Sequence, residues 1–177
     1  MRIMGAQEMG LTTSRIAHEI LERNAQALAA GNLVLVGIKR RGVPLAQRLA
    51  LELKKAGQHD VQLGELDITL YRDDLQLVAD APIIRDSRIN FDLKGKVVVL
   101  VDDVLFTGRT VRAAISELLD FGRAQAIQLA VLIDRGHREL PIAADYVGKA
   151  VQTEPTDLVD IKVKEEDGED GVFLTRT

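Results

Sequence analysis

The hydrophobic residues of this chain fall into continuous runs and into stretches with a helical period. Four segments predict strands, namely Leu33–Ile38, Val61–Thr69, Val97–Val101 and Ile127–Ile133. The first of them, LVLVGI, is unbroken and rich in β-branched residues, which is typical of a strand covered on both faces. We therefore expect a sheet that is buried between two layers.

Three stretches between and before these runs predict helices. Thr12, Thr13 and Ser14 offer hydroxyls that could cap the first helix, while Gly31 and Gly122 are natural stops for the first and the third. Their predicted bounds are Ser14–Ala30, Pro44–Gly57 and about Arg109–Phe121. Strands that alternate with helices predict an α/β fold with a mainly parallel, doubly wound sheet.

The remaining segments are shorter or more polar. The stretch Leu75–Leu93 is polar and predicts a long loop or hairpin, and loops of this length are often functional. The tail has strand-like pieces near Tyr146–Val147, Leu158–Val163 and Val172–Leu174, with an acidic turn at Glu165–Asp170. Since no repeat or linker interrupts the pattern, residues 1–177 predict a single domain.

Composition narrows the function classes. The chain has 177 residues, of which 46% are hydrophobic and 28% charged, so an ordered globular protein is expected. It has no cysteine, which excludes disulfides and thiol nucleophiles. Only 3% of the residues are aromatic, which argues against stacking platforms for nucleic-acid bases. The aliphatic runs are too short to span a bilayer, so we expect no membrane and a cytoplasmic location.

The net charge of −4 argues against binding nucleic acid through bulk positive charge, and DNA is not an expected partner. A local basic patch is still compatible with this balance. Three loops at the predicted carboxyl ends of strands contain charged and hydroxyl side chains that can bind a ligand: Lys39–Gly42, Asp102–Thr110 and Asp134–Arg138. Ligands of doubly wound sheets bind at that edge. The three loops therefore predict one site.

The second loop combines an acid pair with a glycine-threonine turn. Asp102 and Asp103 follow an aliphatic strand, and Thr107-Gly108-Arg109-Thr110 then enters a helix. A helix N-terminus favours an anion, and carboxylates can accept hydrogen bonds from vicinal hydroxyls. The spacing predicts a site for a phosphorylated ribose. Alternatively, the acids only end a strand and the threonines only cap a helix, which would be the simpler interpretation of either piece alone.

Other nucleotide loops fit less well. The sequence contains neither G-x-x-x-x-G-K-[ST] nor G-x-G-x-x-G. The acid pair of a response regulator normally opens its domain, whereas about 100 residues precede this pair. The segment VVVLVDDVLFTGRTVRAA resembles the phosphoribosyl-pyrophosphate (PRPP) signature of type I phosphoribosyltransferases. The segments SRIAHEILERN, LVGIKRRGVPLA, LDITLYRDD and LAVLIDRGHRELPIAADYVGK are similar to the regulators of pyrimidine-operon attenuation that are also uracil phosphoribosyltransferases.

This resemblance, which extends over Ser14–Val163, implies a type I phosphoribosyltransferase fold with a flexible flap at about 71–93 and a small hood within 135–177. It implies a PRPP site, a loop for the pyrophosphate, two flap arginines and a nucleobase site. Mg²⁺ would be bound mainly through PRPP, with no dedicated protein cage. The implied PRPP loop is Asp102, Asp103, Val104, Leu105, Phe106, Thr107, Gly108, Arg109 and Thr110; the other implied residues are Lys39, Arg40 and Arg41 (pyrophosphate), Arg72 and Arg85 (flap), and Arg135 and Val159 (nucleobase).

The resemblance also implies binding of structured leader mRNA from the pyrimidine operon by a homodimer or a dimer of dimers. The implied contacts are Ser14, Arg15, His18, Arg23, His137, Arg138 and Lys149. A solvated helix face with Arg15–Glu19 and Glu19–Arg23 pairs is the alternative for the first group. Ala143 stands where close relatives often have arginine.

The implied function is a regulator that binds RNA when UMP or UTP is bound, and that forms UMP and pyrophosphate from uracil and PRPP. A salvage phosphoribosyltransferase without RNA regulation is the alternative, and a purine enzyme is a third option. Phe106 stands where many purine members have an acidic residue, and Arg40 where the family often has threonine. Phe106 cannot be a general base, so we expect modest turnover.

Overall fold

The strands and helices alternate along most of the chain, and the computed structural model describes residues 1–68 and 86–177. The predicted flap residues Arg72 and Arg85 lie outside the described residues. The strands are β1 (Arg2–Gly5), β2 (Leu33–Ile38), β3 (Gln62–Leu66), β4 (Val97–Leu105), β5 (Ala126–Asp134), β6 (Tyr146–Ala150), β7 (Leu158–Lys162) and β8 (Gly171–Thr175). The helices are α1 (Ala6–Arg23), α2 (Ala25–Ala29), α3 (Gly42–Gly57), α4 (Arg109–Asp120) and α5 (Lys164–Asp167).

Five strands form a parallel sheet in the order β3-β2-β4-β5-β6. Alternate residues of β2 and β4 face opposite layers. Leu35 and Val99 belong to the core shared with α1 and α3, whereas Val36 and Leu100 belong to the core shared with α4. Every residue of β2 is buried, as its unbroken apolar run predicted. The prediction of an α/β fold with a mainly parallel sheet is confirmed.

A second, antiparallel sheet has the order β1-β8-β7. Its inner residues Ile161 and Val172 pack into the same core as α1 and α3. Strands β7 and β8 lie in the segment for which the resemblance implies a hood, and the acidic turn predicted there contains the short helix α5. Among the described residues, no helix has the length and apolar character that a membrane span requires.

The first helix differs from its prediction at both ends. It begins at Ala6 rather than at Ser14, so Thr12 and Thr13 are buried inside it and do not cap it. Strand β1, which was not predicted, pairs with β8 and brings the chain to that earlier start. The Thr13 hydroxyl donates to the Met9 carbonyl oxygen at 2.8 Å, as expected of a threonine in a helix interior.

The same helix ends at Arg23 and does not continue to Ala30. Asn24 interrupts it, and its amide Nδ2, which has two hydrogens to donate, lies within 3.1 Å of the Ile20 carbonyl oxygen, Gln128 Oε1 and the Tyr146 hydroxyl oxygen. The short helix α2 follows. A buried asparagine must have its hydrogen bonds satisfied, and here partners on β5 and β6 determine where the helix breaks.

Strand β4 is longer than predicted. The aliphatic run ends at Val101, but pairing with β5 continues through Asp102 and Val131 to Leu105 and Asp134. The acid pair therefore lies within the last part of the strand rather than in a loop after it. As a result its position is fixed by the sheet.

Candidate functional site

A cleft of about 180 Å³ opens at the carboxyl ends of β2 and β4. Two of the three predicted loops meet there. Its lining residues are Ile38, Lys39, Arg40, Arg41, Ile68, Asp102, Asp103, Val104 and Thr110. The third loop adjoins the second, because the Arg135 backbone N–H donates to the Leu105 carbonyl oxygen at 3.0 Å. The structure thus places the acid pair, the basic loop and the start of α4 around one cavity.

The two carboxylates are oriented by the backbone that follows them. Asp102 is buried, and its Oδ1 accepts a hydrogen bond from the Asp103 N–H at 2.9 Å. Asp103 Oδ1 accepts from the Val104 N–H at 2.8 Å. Asp103 lines the cleft together with the basic residues Lys39, Arg40 and Arg41. Such a fixed acid pair suits recognition of hydroxyl groups.

The turn before α4 has the features of an anion site. Gly108 is the N-cap residue, with a φ of 94°, which favours glycine. The first turn of α4 has no acidic residue, so no charge of its own helix opposes the positive end of the dipole. The Thr107 hydroxyl accepts from the Arg109 N–H at 3.3 Å. An anion such as a phosphate group fits this helix N-terminus.

Residues 138–140, which follow β5, donate hydrogen bonds to the backbone of this turn. The Thr107 carbonyl oxygen accepts from the N–H groups of Glu139 and Leu140 at 2.9 and 3.2 Å, and the Phe106 carbonyl oxygen accepts from Arg138 Nη1 at 2.7 Å. In a trans peptide the carbonyl and the following N–H point in opposite directions. The N–H groups of Thr107 and Gly108 therefore point away from residues 138–140.

Arg138 has a local role that its sequence position did not indicate. Its guanidinium donates to the carbonyl oxygens of Phe106, Gly136 and Ile142 and to Asp134 Oδ2. These contacts engage most of its five N–H donors. The adjacent Glu139 carboxylate accepts from Arg109 Nε at 2.7 Å. The sequence indicates this role only through the prediction of parallel neighbouring strands, because the carboxyl ends of β4 and β5 then lie close together.

The predicted nucleobase residue Arg135 lies beside Phe106. Its guanidinium carbon is 4.0 Å from the centre of the Phe106 ring, and its Nη2 donates to the Glu154 carbonyl oxygen at 3.0 Å. Within the described part of the chain, its buried Nε has no hydrogen-bond acceptor. Burial lowers the pKa of Arg135, against the opposing charge of Asp157. The His137 ring lies edge-on to the Phe106 ring, with the two ring centroids 6.0 Å apart.

The other predicted nucleobase residue, Val159, lies on the second sheet. It is in β7 opposite Leu174, and its half-buried side chain packs against the core shared with α1 and α3. Its side chain thus contributes to the attachment of the second sheet.

The basic loop is engaged with acidic partners. Lys39 Nζ lies 2.8 Å from Asp86 Oδ2 and 3.5 Å from Glu65 Oε2, while Arg40 is largely exposed. The peptide bond between Lys39 and Arg40 is cis. Arg41 donates to both carboxylate oxygens of Asp167, from Nε at 3.0 Å and from Nη2 at 2.9 Å. Asp167 was not among the predicted site residues; its one signal in the sequence is the acidic composition of Glu165–Asp170.

The predicted RNA contacts form two groups. Four of them lie on α1, and Lys149 joins them because β6 packs against that helix: Lys149 Nζ lies 2.9 Å from Glu8 Oε1. Arg15 pairs with Glu19 at 2.5 Å and also donates to the Val147 and Gly148 carbonyl oxygens. The members of this group are Ser14, Arg15, His18, Arg23 and Lys149. His137 and Arg138 form the second group, beside the cleft.

Arg23 does not pair with Glu19 as the alternative interpretation of this helix face proposed. Its Nη1 lies 2.9 Å from Asp145 Oδ1, and its guanidinium lies over the Tyr146 ring at 5.7 Å. His18 Nδ1 lies 2.8 Å from the Ser14 carbonyl oxygen. Arg15 and Arg23 remain about half exposed, so a ligand could still reach their charges.

Comparisons with known proteins agree with this geometry. The family model of the phosphoribosyl transferase domain matches residues 8–166. A bifunctional protein PyrR from Pelotomaculum thermopropionicum is 58% identical over 164 residues, covering 93% of this chain and 89% of the relative. One from Thermus thermophilus is 55% identical over 172 residues, covering 97% and 93%.

Among solved structures, a hypoxanthine phosphoribosyltransferase from Trypanosoma cruzi has a TM-score of 0.76 at 20% identity, covering 98% of this chain and 94% of that chain. This structural similarity shows the fold, and the sequence relatives show the group within the family. The chain therefore belongs to the phosphoribosyltransferase family and, within it, to the group of the bifunctional PyrR proteins.

Proposed function

We propose that the chain is a uridine-nucleotide-responsive, RNA-binding regulator of the pyrimidine (pyr) operon that also transfers phosphoribose from PRPP to uracil. The products of the transfer are UMP and pyrophosphate. The single observation that supports the transferase most strongly is the cleft in which the acid pair, the N-terminus of α4 and the basic loop meet. The name of the relatives, bifunctional protein PyrR, supports the regulatory half.

Each part of the cleft matches one part of PRPP. The carboxylates of Asp102 and Asp103 accept hydrogen bonds from the ribose hydroxyls, and the turn Thr107–Thr110 binds the 5-phosphate. Lys39, Arg40 and Arg41 bind the pyrophosphate, with Arg72 and Arg85 proposed to close on it. Because the transition state is oxocarbenium-like, catalysis depends on positioning and on stabilising the departing pyrophosphate.

The acidic residues fit Mg²⁺ that is held mainly by the substrate. In residues 1–68 and 86–177 no group of three or more His, Cys, Asp and Glu side chains could form a metal cage. Asp102 and Asp103 provide carboxylate oxygens, the ligand type that Mg²⁺ prefers, directly or through water. When bound, the ion would neutralise charge on the pyrophosphate.

The nucleobase site is proposed around Arg135 and Phe106, with Val159 contributing through its backbone. A buried guanidinium whose Nε has no acceptor in the described residues suits a base that presents carbonyl oxygens, as uracil does. Phe106 offers an apolar face and no proton acceptor, so the chain must rely on the acidity of uracil itself. Modest turnover follows from this arrangement.

The transferase is tested by Mg²⁺-dependent formation of UMP from uracil and PRPP. Asp103→Asn should abolish activity and leave the fold intact, because the amide cannot replace the acceptor facing the ribose. Asp60→Asn is the matched control, since Asp60 is an exposed aspartate paired with Lys54 away from the cleft. Full activity in Asp103→Asn would refute the site, and preference for a purine in a base competition would refute the proposed substrate.

The regulatory half is tested by a gel-shift titration of pyr leader RNA with and without UMP or UTP. The nucleotides should tighten binding, and His137→Ala should weaken it because that ring lies next to Phe106 at the edge of the cleft. His59→Ala is a control outside both predicted RNA groups. If the RNA does not bind, the regulatory half fails and the salvage phosphoribosyltransferase is left; if it binds but the nucleotides do not tighten binding, the sensor role fails. Light scattering distinguishes the proposed homodimer from a dimer of dimers.

A further inference from the structure

The short acidic helix α5 lies against the basic loop at the end of β2. It belongs to the segment that joins β7 to β8 in the second sheet, far along the chain from that loop. Three consecutive acidic residues of α5 each contact a different arginine: Glu165 with Arg48, Glu166 with Arg40, and Asp167 with Arg41. Only the last of these pairs combines two close hydrogen bonds with an arginine that lines the cleft.

Asp167 is itself held in place. Its Oδ2 accepts a hydrogen bond from the Val163 N–H at 2.8 Å, at the start of α5. Its side chain is 17% exposed. The bond from Arg41 is the main reason that the pKa of Asp167 is lowered to about 2, with the Val163 N–H acting in the same direction. Two donors on Oδ2 and one on Oδ1 therefore hold the carboxylate in one orientation.

The pair uses only one edge of the Arg41 guanidinium. Asp167 receives the Nε hydrogen and one Nη2 hydrogen. A guanidinium has five N–H donors, so the edge formed by Nη1 and the other Nη2 hydrogen takes no part in this pair. Arg41 lines the cleft together with Asp103, whose charge, after that of Asp167, helps to raise the pKa of Arg41.

We infer that Asp167 is a positioning residue that holds Arg41 so that its second guanidinium edge receives the pyrophosphate of PRPP. An arginine that is already ordered loses less conformational entropy when an anion binds, and its planar donors then meet the phosphate oxygens in a set direction. The inference rests on the proposed function. It assigns the second sheet a role on the pyrophosphate side of the cleft as well as on the nucleobase side.

The test compares ligands that contain pyrophosphate with one that does not. Asp167→Asn in the full-length chain keeps the size of the side chain but loses the charge and one of the two good acceptors. Calorimetric titration in Mg²⁺ should show affinity for PRPP and for pyrophosphate reduced roughly tenfold, the low end of the loss found when orienting partners of metal ligands are removed. Binding of UMP, which has the ribose, the 5-phosphate and the base, should stay as in the unmodified chain.

Glu165→Gln is the matched control. Glu165 lies on the same helix and forms the same kind of pair with Arg48, but Arg48 keeps Asp170 as a second partner and does not line the cleft. The affinities of the Glu165→Gln variant for PRPP, pyrophosphate and UMP should all be unchanged. Asp167→Glu keeps the charge and should give an intermediate loss for the pyrophosphate ligands alone, which also tests the inference if Asp167→Asn does not fold.

Other outcomes would overturn the inference. Equal weakening of UMP and pyrophosphate binding would mean that Asp167 only supports the fold. Unchanged or tighter pyrophosphate binding would mean that the carboxylate is irrelevant to Arg41 or competes with the ligand for it. If the unmodified chain binds neither PRPP nor UMP, the proposed function fails as well, and this result is distinguishable because it needs no variant.

Discussion

Gly42 lies in close contact with the strand that contains the acid pair. It is the first residue of α3, immediately after the basic loop, and it packs against the backbone of β4 where the acid pair begins. A Cβ atom at this position would lie 2.3 Å from the Val101 carbonyl oxygen and 3.3 Å from Asp102 Cα. We predict that Gly42→Ala damages both stability and activity.

The size of the effect follows from that contact. The φ of Gly42 is accessible to alanine, so the backbone conformation itself is not strained. To lengthen the contact from 2.3 Å to beyond 3.0 Å, however, one of two buried backbones must move. Overpacking of this kind costs about 1–3 kcal/mol of the free energy of unfolding. Because Arg41 and Asp102 would move apart by a sizeable fraction of an ångström, kcat/KM should fall about 100-fold.

The assay combines urea unfolding with steady-state formation of UMP. Gly10→Ala is the control, since Gly10 lies inside α1 and a Cβ there would meet no atom within 4 Å. Alanine at this exposed position inside a helix should stabilise the protein by about 0.4–1 kcal/mol and leave activity unchanged. The same substitution thus has opposite signs at the two glycines.

One result would refute this reasoning directly. If Gly42→Ala unfolds at the same urea concentration as the unmodified chain and keeps its kcat/KM, the close approach of α3 to β4 is not a constraint on the site. A loss of stability with full activity would show that the backbones adjust without displacing Arg41 relative to the acid pair.

Three further predictions concern single groups. The pKa of Asp167 is about 2 in the folded chain against 3.8 for the free residue, so its pair with Arg41 stabilises the fold above pH 3.8 and this stabilisation is lost as the pH falls toward 2. Urea unfolding midpoints should therefore fall less between pH 3.8 and pH 2 in Asp167→Asn than in the unmodified chain. Tyr146→Phe removes a hydroxyl that donates to Gln128 Oε1 at 2.7 Å and should cost about 1 kcal/mol in urea unfolding, with UMP formation unchanged. Arg138→Ala leaves the Phe106 carbonyl oxygen without its donor and should lower the free energy of unfolding by about 1–3 kcal/mol. Lys149→Ala is the control and should have a smaller effect, because the Lys149–Glu8 pair is about half exposed.

Much of the parallel sheet could be predicted from the sequence because its strands are continuous apolar runs. The predicted and observed bounds of β2 agree at both ends, since Asn32 and Lys39 flank an unbroken aliphatic segment. The bounds of β4 do not, because aspartate is uncommon in strands and the apolar pattern stops at Val101. Pairing with β5 outweighs that preference and extends the strand through the acid pair.

Features that depend on distant partners were not predictable. Asn24 breaks α1 through contacts with Gln128 and Tyr146, which follow it by 104 and 122 positions. The Arg41–Asp167 pair joins residues 126 positions apart. A pattern of local hydrophobicity contains no information about such contacts. For the same reason, most of the residues that line the cleft were among those predicted from the sequence, whereas Asp167, which orients Arg41, was not.

The ring of Phe106 connects the cleft to one group of predicted RNA contacts. Arg135 lies over its face and the His137 ring lies edge-on to it, while Arg138 binds the backbone carbonyl oxygen of the same residue. A nucleotide that displaces this ring must therefore alter the contact of His137. If UMP tightens RNA binding by a given factor, RNA must tighten UMP binding by the same factor, and such factors are typically about 5–150-fold.

Titrating UMP by calorimetry with and without saturating leader RNA measures that factor, and Phe106→Leu tests its origin. The leucine keeps the carbonyl oxygen that Arg138 binds but lacks the ring that Arg135 and His137 share. We expect the coupling factor to fall toward one, while RNA alone still binds. An undiminished factor in Phe106→Leu would exclude the ring as the connection. Coupling would then pass through the backbone carbonyl oxygens of Phe106 and Thr107, which accept from Arg138 and from residues 139–140 and which the substitution leaves in place.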